Sequence, residues 1–166
     1  MRQLIAIPII LLAVILQSAV ISRVTLLSGV ADLPLVMLAA WAMQDQVETA
    51  WQWAVAAGLL VGFISGMPWF IPMIAYLVVV AIAQMLQRRV WQAPLLAMFL
   101  VSFIGTLVLH ILSLGSLQLA GTPLQIPDVL GLITLPAVLL NLLIAIPVYA
   151  VMRDLAGWVY PMPEGA

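Results

Sequence analysis

Ala93-Pro94-Leu95-Leu96-Ala97-Met98-Phe99-Leu100-Val101-Ser102-Phe103-Ile104-Gly105-Thr106-Leu107-Val108-Leu109-His110-Ile111-Leu112-Ser113-Leu114 runs for 22 residues without one Asp, Glu, Lys or Arg. A helix rises about 1.5 Å per residue and the hydrocarbon of a bilayer is about 30 Å thick, so this stretch is long enough to cross it. Reading outward from it, further apolar runs cover residues 4–21, 30–43, 50–66, 71–86 and 130–152. The third and fourth are separated only by Met67, Pro68, Trp69 and Phe70, where proline marks a tight turn. The expected architecture is therefore an all-α integral membrane protein, one polytopic domain over residues 1–166, with six transmembrane helices and short loops.

Composition agrees. Of 166 residues, 66% are hydrophobic and 7% charged, with a mean hydropathy of +1.28. A soluble domain carries roughly 45–50% apolar and about 25% charged residues. Five Arg against six acidic residues give a net charge of -1, which offers no basic field for nucleic acid. Cysteine is absent, which excludes disulfides, thiolate chemistry and sulfur-ligated metals.

Arginine near span ends is retained on the cytoplasmic side. With six spans and a cytoplasmic N-terminus, Arg2, Arg88, Arg89 and Arg153 fall inside and Arg23 outside, so both termini are expected in the cytoplasm. Trp41, Trp51, Trp53, Trp69, Trp91 and Trp158 fall near span ends, where an amphipathic ring sits best. One longer outside segment, residues 115–129, is expected to hold a short interfacial helix begun at Ile126-Pro127-Asp128 with Asp128 as its N-cap.

Four groups of residues stand out. Ala50, Ala54, Gly58, Gly62 and Gly66 recur every four positions and line one helix face, allowing a second backbone to come close, either within the bundle or from a partner's transmembrane helix. Ser102, Thr106 and His110 form a polar stripe at i, i+4 and i+8, which ordinarily faces the bundle. His110 reads as a hydrogen-bonded structural group or as a ligand or proton-handling residue. Asn141 lies mid-span, with Ala137, Ala145 and Tyr149 on its face, and needs an interhelical partner. Pro136 and Pro147 kink this last helix, and Thr134 is placed to cap its start. Asp32 followed by Pro34 reads as the cap and first turn of the second span. Asp45 and Glu48 read as a solvated turn. No catalytic motif such as a P-loop, H-E-x-x-H or G-x-S-x-G occurs, and no residue set calls for a metal or cofactor, so a non-enzymatic role is expected.

Several segments carry a resemblance that extends over nearly the whole chain: Leu16-Gln17-Ser18, Ala31-Asp32-Leu33-Pro34-Leu35, the run from Gly58 to Gly66, the arginine pair Arg88-Arg89, and the run from Leu140 to Pro147. In this order they resemble the rod shape-determining MreD family. The chain departs from the family where Gly62 replaces a common aspartate and where Trp69-Phe70 replaces a Leu-Gly turn. The resemblance implies a scaffold subunit of the bacterial wall-elongation machinery in the cytoplasmic membrane. It would bind the bitopic protein MreC and assemble with wall synthases and the cytoskeletal protein MreB. The family fold is also similar to the substrate-binding subunits of energy-coupling-factor vitamin transporters, the rival expectation. In such a subunit, an outward pocket would be lined by His110, Asn141 and the 115–129 segment. These subunits dock their energising partner through Ala-x-x-x-Ala on the first helix, and Ala6, Ala13 and Ala19 lack that spacing.

Overall fold

A computed structural model describes residues 5–88 and 93–160. The expectations that rested on Arg2, Arg89 and Trp91 lie outside the described residues. The chain forms α1 (Ala6–Ala19), a short hairpin of β1 (Thr25–Leu26) and β2 (Gly29–Val30), α2 (Leu33–Ala42), α3 (Ala50–Ile64), α4 (Phe70–Gln87), α5 (Pro94–Leu119) and a long final helix α6 (Ile126–Val159). Three of these, α4, α5 and α6, are long and apolar enough to cross a membrane, with mean hydropathies of 2.0, 2.5 and 2.5.

The centre of the bundle is α2. Nothing in Leu33-Pro34-Leu35-Val36-Met37-Leu38-Ala39-Ala40-Trp41-Ala42 is polar, and a helix apolar on every side has no face to give to water. It touches all five other helices, and every residue from Pro34 to Ala42 is buried. Its three alanines let those neighbours approach closely. At ten residues α2 is only about 15 Å long, too short to span hydrocarbon on its own. The expected second span is thus corrected: the hairpin occupies the rest of that path, and Asp32 begins the helix inside the bundle rather than at its edge.

The hairpin is held by a consequence of proline chemistry. Pro136 has no N–H, so the carbonyl four residues earlier, on Leu132, loses its ordinary helical donor. The Ser28 backbone N–H donates to that carbonyl at 3.0 Å. Here α6 passes through a π-helical stretch, Val129–Thr134, which absorbs the proline without ending the helix. Gly29 packs so tightly on the same turn that a Cβ would lie 2.6 Å from the Ile133 carbonyl oxygen and 2.6 Å from the Ala137 nitrogen. Only glycine fits there.

The small-residue stripe of α3 meets α4. Ala50, Ala54, Gly58 and Gly62 are buried, and a Cβ on Gly58 would sit 2.5 Å from Met73 Cα, one on Gly62 2.6 Å from Trp69 Cα. This face is closed by the chain's own fourth helix and is not open to a partner. Gly66 ends the stripe, exposed and at φ 69°, where it makes the turn into α4 that Pro68 completes by accepting from Ile71 N–H at 3.0 Å.

Other boundaries shift. Gly115 does not stop α5, which runs on to Leu119, and the last helix starts at Ile126, so the long outside segment shrinks to a connector of residues 120–125. Asp128 lies in the first turn of α6 and makes no side-chain cap bond. Its N-cap role is withdrawn, as is that of Thr134, which sits in continuous helix. Pro127 is tolerated because the first turn of a helix needs no N–H from it. At the opposite end of the bundle Trp41 stacks on Trp53 with ring centroids 4.3 Å apart, both buried, so these two indoles belong to the core and not to an interfacial belt. Trp51, Trp69 and Trp158 are exposed.

Candidate functional site

The polar side chains that interrupt the apolar sequence converge where α2 begins. Asp32 caps α2, its Oδ1 accepting the Leu35 N–H at 2.9 Å. The Tyr76 hydroxyl on α4 donates to Asp32, 3.1 Å from both Oδ1 and Oδ2. The Asp32 backbone N–H donates to Asn141 Oδ1 at 2.7 Å, and Asn141 Nδ2 donates to Thr106 Oγ1 at 2.7 Å. Thr106 passes its own proton to the Ser102 carbonyl at 2.7 Å. From α1, Gln17 brackets the same turn: its Nε2 donates to the Ala31 carbonyl at 2.7 Å and its Oε1 accepts the Leu33 N–H at 2.8 Å.

Five helices therefore meet at one hydrogen-bonded node. Residues before a helix start have unpaired backbone groups, and with no water in hydrocarbon each must find a partner within the protein. Gln17 and Asn141 satisfy the backbone, while Asp32 and Tyr76 satisfy each other. The amide of Asn141 has both ends engaged, and it is fully buried with Thr106.

His110 stands one helical turn beyond Thr106 on the hairpin side, half-buried, with Nδ1 at 3.0 Å from Thr134 Oγ1. The stripe of Ser102, Thr106 and His110 faces the bundle, and its first two members join the node while His110 bonds α6 separately. Ser102 contributes through its carbonyl; its buried hydroxyl has no partner among the described residues. Tyr76 and Gln17 were not singled out as site residues from sequence. A single phenol inside the apolar run 71–86 was the available signal for Tyr76, because a hydroxyl there needs an acceptor.

Above the node, at the hairpin end, lies an open cavity of about 260 Å³. Asp32, Tyr76 and Thr106 supply its polar floor, Gln17, Ser18 and His110 part of its wall, and Val14, Val61, Ile64 and Leu109 are among its apolar lining. On the flank of the bundle, α1 leans on α2 and α3 and barely touches α6. This leaves an apolar groove of about 240 Å³ between Leu12 and Leu16 of α1 and Val148 and Val151 of α6, with Leu33 and Met37 of α2 among its lining. No group of three or more His, Cys, Asp or Glu capable of holding a metal occurs among the described residues.

Comparison of the chain with protein-family models, with curated proteins and with solved structures finds no match in any of the three.

Proposed function

We propose that this protein is a non-enzymatic scaffold subunit of the bacterial wall-elongation machinery, similar to MreD, embedded in the cytoplasmic membrane with six crossings and both termini inside. One observation carries the reading. Three short segments on which the resemblance rests meet at one node: Gln17 bonds the backbone on either side of Asp32, and Asn141, 109 residues further on, bonds the Asp32 backbone.

The partner in this reading is an MreC-like protein with a single transmembrane helix, with wall synthases and MreB joining the assembly. Its docking place is the flank groove between α1 and α6. Packing and small residues drive helix association in lipid, and this groove is lined by apolar side chains of three helices, among them Leu12 and Leu16 of α1, Leu33 of α2 and Val151 of α6. The α3 stripe is spent on α4 and has nothing left to offer a partner.

A second reading, the substrate-binding subunit of a vitamin transporter, is favoured by the cavity beside Asp32. One preparation separates the two. The tagged protein is purified from its native membranes in mild detergent, and both co-purifying proteins and retained small molecules are identified by mass spectrometry. The scaffold reading expects an MreC-like bitopic protein in near-equal amount. Recovery of paired ATPases in its place overturns the scaffold and supports the transporter.

A further inference from the structure

Asp32 has an electrostatic problem that the node does not solve. Among the described residues the one ion pair is Arg153–Asp154 at 3.3 Å, exposed, and no cation lies within salt-bridge distance of Asp32. A carboxylate inside a membrane bundle normally pairs with an opposite charge or lines a water-filled path. Both Asp32 oxygens accept hydrogen bonds, from the Leu35 N–H and the Tyr76 hydroxyl, and these bonds favour the ionised form against the cost of its burial. A carboxylate has about four lone-pair sites. The Leu35 bond uses one, and the single Tyr76 proton is shared between the two oxygens, which leaves acceptor capacity on Oδ2.

Asp32 is among the residues that line the cavity. Tyr76 and Thr106 share the floor, and both have given their protons away, to Asp32 and to the Ser102 carbonyl. Gln17 has one amide proton and its carbonyl committed to the backbone. His110 uses Nδ1 on Thr134. The floor thus presents acceptors beside the Asp32 carboxylate, under a mainly aliphatic lining in which the Ser65 hydroxyl and the second Gln17 amide proton are the donors. A small, mostly apolar site with one charged acceptor suits a compact organic cation whose ammonium group reaches the carboxylate while its hydrocarbon body fills the remainder. Anions and sugars are poor fits, the first repelled by Asp32 and the second requiring many donors and acceptors along the walls.

We propose that the cavity is a binding site for a small organic ammonium ion, anchored by Asp32. This site needs no partner protein and stands whether or not the chain docks a bitopic helix.

The test uses the full chain in detergent micelles and 4-fluorophenethylammonium, with the neutral 4-fluorophenethyl alcohol as its uncharged counterpart, followed by fluorine NMR. Saturable binding of the ammonium is expected, at least ten-fold tighter than that of the alcohol. Asp32→Asn preserves the helix cap, because asparagine caps as well as aspartate, and it should weaken the ammonium at least ten-fold while leaving the alcohol unchanged. Val61→Trp fills the cavity from α3 without touching the node and should abolish binding of both. Equal affinity for ammonium and alcohol, an ammonium affinity indifferent to Asp32→Asn, or absence of saturable binding to the folded chain would each overturn the proposal.

Discussion

Asn141 on the last helix holds the backbone N–H of Asp32 at 2.7 Å across 109 residues of chain, and that bond fixes where the central helix begins. It satisfies the group that a helix starting inside a membrane bundle would otherwise leave bare. Replacing Asn141 by Leu strands the Asp32 N–H and removes the donor to Thr106, and each buried unsatisfied group costs about 1–3 kcal/mol. Unfolding in mixed micelles should show a loss of about 2–3 kcal/mol. A double-mutant cycle of Asn141→Ala with Thr106→Ala should give a coupling of about 0.6–2 kcal/mol, the range for interhelical bonds in membranes. A cycle that sums to zero would mean the Asn141–Thr106 bond contributes nothing.

Glycine positions divide sharply by what surrounds them. Gly58→Ala drives a Cβ to 2.5 Å from the Met73 backbone, which cannot swing aside as a side chain would. Overpacking of this kind costs about 1–3 kcal/mol. Gly157, also helical, has nothing within 4 Å of its added Cβ, and Gly157→Ala should gain up to about 1 kcal/mol from helix propensity. Thermal unfolding of the two variants should therefore move in opposite directions.

The docking of the hairpin on α6 makes a separate prediction. Gly29→Ala should detach it, because its neighbours there are the backbone of Ile133 and Ala137 and the Pro136 ring. Pro136→Ala restores an N–H that can compete for the Leu132 carbonyl now held by Ser28. Both variants should speed amide exchange through residues 25–30 while leaving α4 and α5 protected. Unchanged exchange in the hairpin would contradict the packing described.

These cases show what the sequence reveals and what it conceals. The fourth and fifth spans were legible from apolar length alone, and Asp32 from the cap pattern with Pro34. Asn141 declared itself because an amide in hydrocarbon requires a partner, though which partner depended on geometry. The hairpin was hidden: its two turn residues, Leu27 and Ser28, are not an Asn-Gly, Asp-Gly or Gly-Gly pair, and Leu27 takes φ 54° without being glycine or asparagine. The last helix continues past the separate short helix expected at Ile126-Pro127-Asp128 and the start expected at Thr134 and Pro136, because a π-helical stretch carries the chain through. Trp41 and Trp53 resembled an interfacial pair, and only their mutual stacking distinguishes core from belt.

The proposed six crossings with both termini inside make a further prediction. The Gln87 amide donates to Asp45 at 2.9 Å and Thr49 lies 3.3 Å from the Tyr160 hydroxyl, so these four residues share one end of the bundle, while the hairpin and the turn at Gly66 lie at the other. The chain has no cysteine, so single cysteines can be introduced without background. In sealed, right-side-out vesicles Leu27→Cys and Leu119→Cys should react with a membrane-impermeant maleimide. Asp45→Cys and Asp154→Cys should react only after permeabilisation. Labelling of all four from one side would contradict six crossings.

The groove between α1 and α6 is where the proposed function meets the fold, and the most direct measurement is a cysteine cross-link. Val151→Cys on the groove and Phe63→Cys, 77% exposed on α3, are compared in native membranes with a short thiol-to-amine or photoactivated cross-linker. The proposal predicts that Val151→Cys captures an MreC-like bitopic protein through its transmembrane helix and that Phe63→Cys does not. Capture of that protein from Phe63→Cys alone, or from neither position, would contradict it.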